Sequence, residues 1–191
     1  MYKLCQTEEA AARQRELENG LLEYMKTIPY RDVTISGFCT HMNIPRKAFY
    51  RYFNTREGAL LALIDHRLED MARSLQGGKS KDSVLKNMEA FLHRFMEQKP
   101  FLDILKENDL HSLMIKRAII KAMDGSIFPL HLTADLSNYV HRQGVLMTIS
   151  GMFTVLLSWH DSGFACPVKY MTEIIYTITT QPISSFFGSA K

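Results

Sequence analysis

Apolar residues recur at helical spacing along most of the chain. Leu17, Leu21, Met25 and Ile28 fall at intervals of four, four and three, on one face of a helix predicted over 7–27 and ended by Pro29. Ile35, Phe38, Cys39 and Met42 follow at i, i+3, i+4 and i+7, behind Thr34, a residue suited to an N-cap. Asn43 then interrupts the pattern. Asn tolerates the left-handed backbone that a tight turn between helices often needs. Pro45 biases Ile44 away from the helical region and suits the first turn of a new helix. In that short third helix Phe49 and Phe53 share one face, while Lys47, Tyr50 and Arg51 share the other with Arg46 beside them. Thr55 can cap a fourth helix with Glu57 in its first turn, and Leu60, Ile64, Leu68, Met71 and Leu75 run down its buried side.

The stretch 76–83, with Gly77, Gly78, two Lys and two Ser, reads as a linker. Beyond it helices are predicted over 84–98 (stopped by Pro100), 101–106, 109–123 (ended by Asp124, Gly125 and Ser126), 136–162 and 168–179. The segment around Phe128 and Pro129 has no clear period. Thr172, Ile174, Ile175, Thr177 and Ile178 give the last helix a β-branched density that would also suit a strand, and periodicity favours the helix. The predicted fold is all-α. A three-helix helix-turn-helix module occupies 1–58, a connecting helix and linker 59–80, and a larger helical regulatory and dimerisation module 81–191.

Charge sharpens the picture in one place. Residues 33–56 contain Arg46, Lys47, Arg51 and Arg56 and no acidic residue, in a chain whose net charge is only +3. A basic patch on a helix-turn-helix is the electrostatic footprint of phosphate binding, and the second helix of that motif enters the major groove with its N-terminal residues near base edges. Arg46 and Lys47 occupy that start, and Tyr50 and Tyr52 offer hydroxyls on rigid rings. Hydrophobic residues at 46% and charged residues at 23% allow an ordinary buried core. The three cysteines, Cys5, Cys39 and Cys166, are widely separated, so neither a disulfide framework nor a metal-ligand spacing is present, and Cys39 falls at an apolar helical position. Residues 1–9 contain no apolar signal core, and the apolar stretch 145–159 is broken by Thr148, Ser150 and Gly151, so a soluble, cytoplasmic protein is expected. No cofactor and no enzymatic activity are expected. The sequence has no GxGxxG, HExxH or GxSxG. Gly77, Gly78, Lys79 and Ser80 mimic the tail of a phosphate loop, but the first Gly that the loop needs is missing. Ser158, His160 and Asp161 lie within one helical turn and cannot form a relay aimed at a substrate.

The run from Thr34, Ile35 and Ser36 through Asn43, Ile44, Pro45, Arg46, Lys47, Ala48, Phe49, Tyr50, Arg51, Tyr52, Phe53, Asn54, Thr55, Arg56 and Glu57 resembles the DNA-binding signature of the TetR/AcrR family. Asn43 stands for the usual turn Gly, Pro45 for a Ser and Arg56 for a Lys, and Gly37 sits inside the second helix. The resemblance implies that Thr34, Ser36, Lys47, Tyr50, Tyr52 and Arg56 touch DNA, with Arg46 and Arg51 at positions that vary with operator sequence. It also implies a homodimer, assembled through the last two long helices. Val145, Met152, Val155 and Trp159 on one and Met171, Ile175 and Ile178 on the other are the candidate interface, and segment 127–135 is the alternative cover for that surface. Phe91, Phe95, Phe101, Met114, Tyr139 and Met152 are candidates to line a small-molecule pocket. The implied function is a sequence-specific transcriptional regulator on a near-palindromic operator, a repressor released by a small-molecule inducer. The alternative is a helical ligand-sensing or protein-interaction module whose DNA-binding motif has degenerated.

Overall fold

The computed structural model describes residues 2–75, 80–127 and 136–181. The described residues form nine α-helices, one short 3-10 turn and no strand, as the hydrophobic pattern predicts. They divide into two units, Met1–Asp70 with Pro100–Arg117, and Met71–Lys99 with Ala118–Lys191.

In the first unit α1 (Glu8–Met25) starts behind Thr7, whose hydroxyl accepts from the Ala10 N–H at 3.2 Å. A 3-10 turn (Tyr30–Asp32) follows Pro29. Thr34 caps α2 (Ile35–His41) by accepting from the Gly37 N–H at 3.0 Å, a cap whose removal typically costs ~1 kcal/mol. Asn43 takes the left-handed conformation at φ 50, which turns the chain into α3 (Arg46–Tyr52). Pro45 sits one position earlier than expected. Its ψ of 147 is extended, so it occupies the cap and Arg46 opens the helix. A helix of two turns has little stability of its own. Phe49 and Phe53 are fully buried with Phe38 of α2, their rings 5.2–5.8 Å apart, and each buried Phe contributes roughly 1.5–3 kcal/mol. That burial holds α3 on α2. Gly37 has a packing reason: a Cβ there would meet the Tyr24 hydroxyl at 2.6 Å.

Thr55 caps α4 (Arg56–Ala72) through the Gly58 N–H at 3.0 Å, and Leu60, Ile64, Leu68 and Met71 line its buried side. The helix ends at Ala72, so Leu75 lies beyond it. The unit is completed by α6 (Lys99–Glu107) and the first turns of α7 (His111–Met123), with Phe101, Leu102, Leu105 and Met114 buried. Pro100, expected to stop a helix, instead sits in the first turn of α6, where its missing N–H has no partner to lose. Asp109, expected to open α7, is in a left-handed turn at φ 56.

The second unit contains α5 (Lys81–Glu97), the end of α7, α8 (Tyr139–Asp161) and α9 (Val168–Thr180). Ser80 caps α5 by accepting from the Ser83 N–H, so 80–83 belongs to the helix and not to a linker. Residues 76–79, with the phosphate-loop mimic, and 128–135, with most of the alternative cover for α8, lie outside the described residues. Asn138 caps α8, which therefore begins at Tyr139 and not at Leu136. The β-branched segment at the end is helical: α9 packs on α5, and Thr172, Thr179 and Thr180 return their hydroxyls to carbonyls three or four residues back. The loop between α8 and α9 is pinned by the Trp159 indole N–H donating to the Cys166 carbonyl at 2.8 Å and by Phe164 edge-on against that indole at 4.9 Å. No helix among the described residues is long and apolar enough to cross a membrane.

Candidate nucleic-acid interface

Burial divides α3 into two faces. Phe49, Tyr52 and Phe53 point inward at 8% exposure or less, while Arg46, Lys47, Tyr50 and Arg51 are exposed. The exposed side chains stand between two clefts. On one side Lys47, Tyr50, Arg51 and the edge of Tyr52 line an open cleft of about 1140 Å³ together with Thr7, the α1 cap, and Arg13 and Glu16 of that helix. On the other, Arg46 shares a cleft of about 530 Å³ with Ser36, Thr40 and Asn43. Thr34 and Ser36 are exposed at the start of α2. Six of the eight residues proposed from sequence are thus exposed on α3 and at the start of α2.

The other two are placed differently. Tyr52 falls on the core face because the helical period puts it three residues after Phe49, and its ring packs 6.3 Å from that of Phe53. Arg56 is turned inward. Its Nη1 donates to the carbonyls of Tyr30, Arg31 and Val33 at 3.3, 3.1 and 2.7 Å, and its guanidinium lies 4.7 Å over the Tyr30 ring. It closes the open end of the 3-10 turn, a use that orphan carbonyls at a helix end favour over a phosphate outside. Beside it Glu57 has its carboxyl held below the ordinary glutamate range, first by its own backbone N–H at the α4 N-terminus and then by Arg56. Cys39 is buried under the turn, and burial pushes its thiol up.

Sequence reasoning missed how this surface is supported. Tyr30 N–H donates to Asn108 Oδ1 at 2.5 Å, and the Asn108 amide donates to the Ile104 carbonyl at 2.8 Å, which ties the turn before α2 to the end of α6. Tyr2 and Lys3 reach the far end of α3. No hydrophobic period marks these residues, so no pattern could have found them.

The proposed pocket and interface residues separate by exposure. Phe91, Phe95, Phe101 and Met114 are fully buried, but Tyr139 is 74% exposed at the first turn of α8 and lines no interior. Phe101 and Met114 belong to the first unit, the other four to the second. Of the interface candidates, Val145, Trp159, Met171 and Ile175 are buried within the chain and offer no surface to a partner. Met152 and Val155 are half-buried and Ile178 is exposed. The exposed side of α8 carries Val140, Met147, Gly151, Thr154 and Ser158, and no charged residue occurs between Gln143 and Trp159.

No protein-family model and no curated protein matches the chain in sequence. Its structure is similar to that of the dihydroxyacetone kinase operon activator DhaS, with TM-score 0.56 and 14% identity over 87% of this chain and 93% of that one. It is also similar to the fatty acid degradation regulator FadR from Bacillus halodurans, with TM-score 0.55 and 9% identity over 89% and 95%. The TetR-family repressor AlkX from Dietzia sp., implicated in biodegradation of n-alkanes, aligns with TM-score 0.49 and 16% identity over 87% and 94%. The architecture is an all-helical one with a helix-turn-helix near its start. The likenesses to DhaS and FadR show that this fold is shared with those two regulators.

Proposed function

We propose that the chain is a sequence-specific DNA-binding transcriptional regulator that works as a homodimer, a repressor released when a small molecule binds its second unit. The carrying observation is the outer face of α3, where Arg46, Lys47, Tyr50 and Arg51 are all exposed on a helix fixed by buried Phe49 and Phe53. A ridge of this kind suits the major groove, roughly 12 Å wide, with phosphates of both strands flanking it. Arg46 and Arg51 are the candidate base readers, and Lys47, Tyr50, Thr34 and Ser36 the candidate phosphate contacts. Tyr52 and Arg56 act from behind, as packing and as a brace.

Seven residues rise only about 10 Å along the helix axis, enough to cover a few base pairs, so two symmetric copies are needed to specify a site. The uncharged exposed side of α8 is the surface we assign to the second copy. Gly144 and Gly151 have open space where a Cβ would stand, which lets another helix approach closely. Met152, Val155 and Ile178 border it.

Selection of bound sequences from random duplex DNA with the purified full chain tests the reading. An enriched inverted repeat is expected, with half-sites about one helical turn apart or a multiple of it. Absence of any enriched motif overturns it in favour of a sensing module without an operator.

A further inference from the structure

Residues 2 and 3, which carry no helical pattern, fold back onto the C-terminal end of α3. Tyr2 forms an isolated antiparallel bridge with Phe53. The Lys3 N–H donates to the Tyr52 carbonyl at 2.9 Å, and Lys3 Nζ donates to the Tyr50 carbonyl at 2.8 Å. Both carbonyls belong to the last turn of α3, where intrahelical donors run out. A cation there also meets the negative end of the helix dipole. The Tyr2 hydroxyl donates to Asp65 Oδ2 at 2.7 Å, in the middle of α4. Asp65 is fully buried and takes two further bonds from Arg117 of α7, Nε to Oδ1 at 2.6 Å and Nη2 to Oδ2 at 2.5 Å. The Tyr2 ring lies edge-on to His66 at 5.7 Å. Burial, and then the bond to Asp65, push the Tyr2 hydroxyl well above the ordinary tyrosine range, so it remains a donor wherever the chain is folded.

From these contacts we infer that Tyr2 and Lys3 form a strap over the end of α3, and that Tyr2 is a positioning residue whose anchorage on Asp65 sets the angle at which α3 meets DNA. The inference rests on the DNA-binding reading above. At its start α3 is fixed by the Asn43 turn, and Phe49, Tyr52 and Phe53 pack its inner face. Beyond Phe49 it has one remaining turn, whose carbonyls are held from outside by Lys3 alone among the hydrogen bonds described. A side chain reading a base edge has to arrive within a fraction of an ångström of its place. The strap fixes the far end of that lever on the most buried charge of α4.

Tyr2→Phe tests this, because it removes one hydroxyl and keeps the ring against His66. Hydrogen exchange of the free protein gives a readout that needs no DNA: amides of the last turn of α3 should lose protection. Binding to the inverted-repeat duplex recovered by selection should weaken about tenfold, as the DNA-competent orientation becomes a minor fraction of the molecules. The salt dependence of binding should keep its slope, since no phosphate contact is removed. Lys3→Met, which spares the buried anchor, should loosen the same amides. Unchanged exchange in both variants overturns the strap. Loosened amides with wild-type affinity overturn the positioning role. A wild-type protein that selects no duplex overturns the DNA-binding reading and the positioning role with it, while the exchange measurement still decides whether the strap exists.

Discussion

Arg117→Met should be among the most destabilising single substitutions in the chain. Asp65 is 0% exposed, and its two carboxylate oxygens receive both Arg117 donors and the Tyr2 hydroxyl. Deleting the guanidinium leaves a buried carboxylate with one neutral donor. Removing one partner of a buried ion pair costs about 3–5 kcal/mol, because the remaining charge keeps its full desolvation penalty. For a chain of this length each kcal/mol moves the melting temperature by about 2–4 °C, so a fall of roughly 6–20 °C is expected. Asp65→Asn should cost less, since the Arg117 side chain is 19% exposed and its charge can turn to water. Replacing all three polar groups together, as Tyr2→Phe, Asp65→Leu and Arg117→Met, should recover most of the loss, because an apolar cluster of similar volume is often as stable as the pair it replaces. Urea and thermal unfolding followed by circular dichroism measure each variant. A loss below about 1 kcal/mol for Arg117→Met, the size typical of an exposed pair, refutes the reasoning, as does a triple variant worse than the single one.

Lys47→Ala should weaken operator binding equally across related sequences and lower the salt slope by about one, and unchanged affinity in titrations at several salt concentrations would remove Lys47 from the phosphate contacts. Tyr30→Phe concerns a buried hydroxyl beside the Arg56 guanidinium, whose pKa burial raises from 10.0 to about 12. Such a group contributes fully below pH 10 and loses its contribution as pH rises towards 12, so the variant should match wild type within ~1 kcal/mol at neutral pH and unfold less steeply in alkali; an equally steep alkaline limb counts against this. Gly151→Arg adds a charge where the chain leaves open space, and Arg favours helix over Gly. It should stay folded and sediment as a monomer with lost operator binding, whereas a variant that remains dimeric moves the interface off this side of α8.

What the sequence reveals follows the range of the forces involved. Caps, turn and recognition helix are local: Thr34, Asn43 and Thr55 do their work within three residues, so a single sequence displays them, and the structure finds each where its chemistry points. Period alone also settles α9, where β-branched density argued for a strand. The errors have two sources. Helix boundaries at 81, 99 and 139 shift because Ser80 and Asn138 cap earlier or later than the apolar run begins, and because Pro100 starts a helix as readily as it stops one. Surface assignments fail where a helix is apolar on both sides. In α8 nothing in the pattern separates residues packed within the chain from those left outside. Trp159 and Val145 look as suited to a partner as Met147, and only the tertiary fold sends the first two inward. Arg56 shows the same limit for charge, because a cation beside a helix N-terminus reads as a phosphate ligand until three backbone carbonyls, supplied by a turn more than twenty residues away, claim it. The strap of Tyr2 and Lys3 lies furthest beyond reach. Its partners are two carbonyls, which every residue possesses, and a carboxylate 63 positions along the chain, so its existence is a property of the folded structure and of no local pattern.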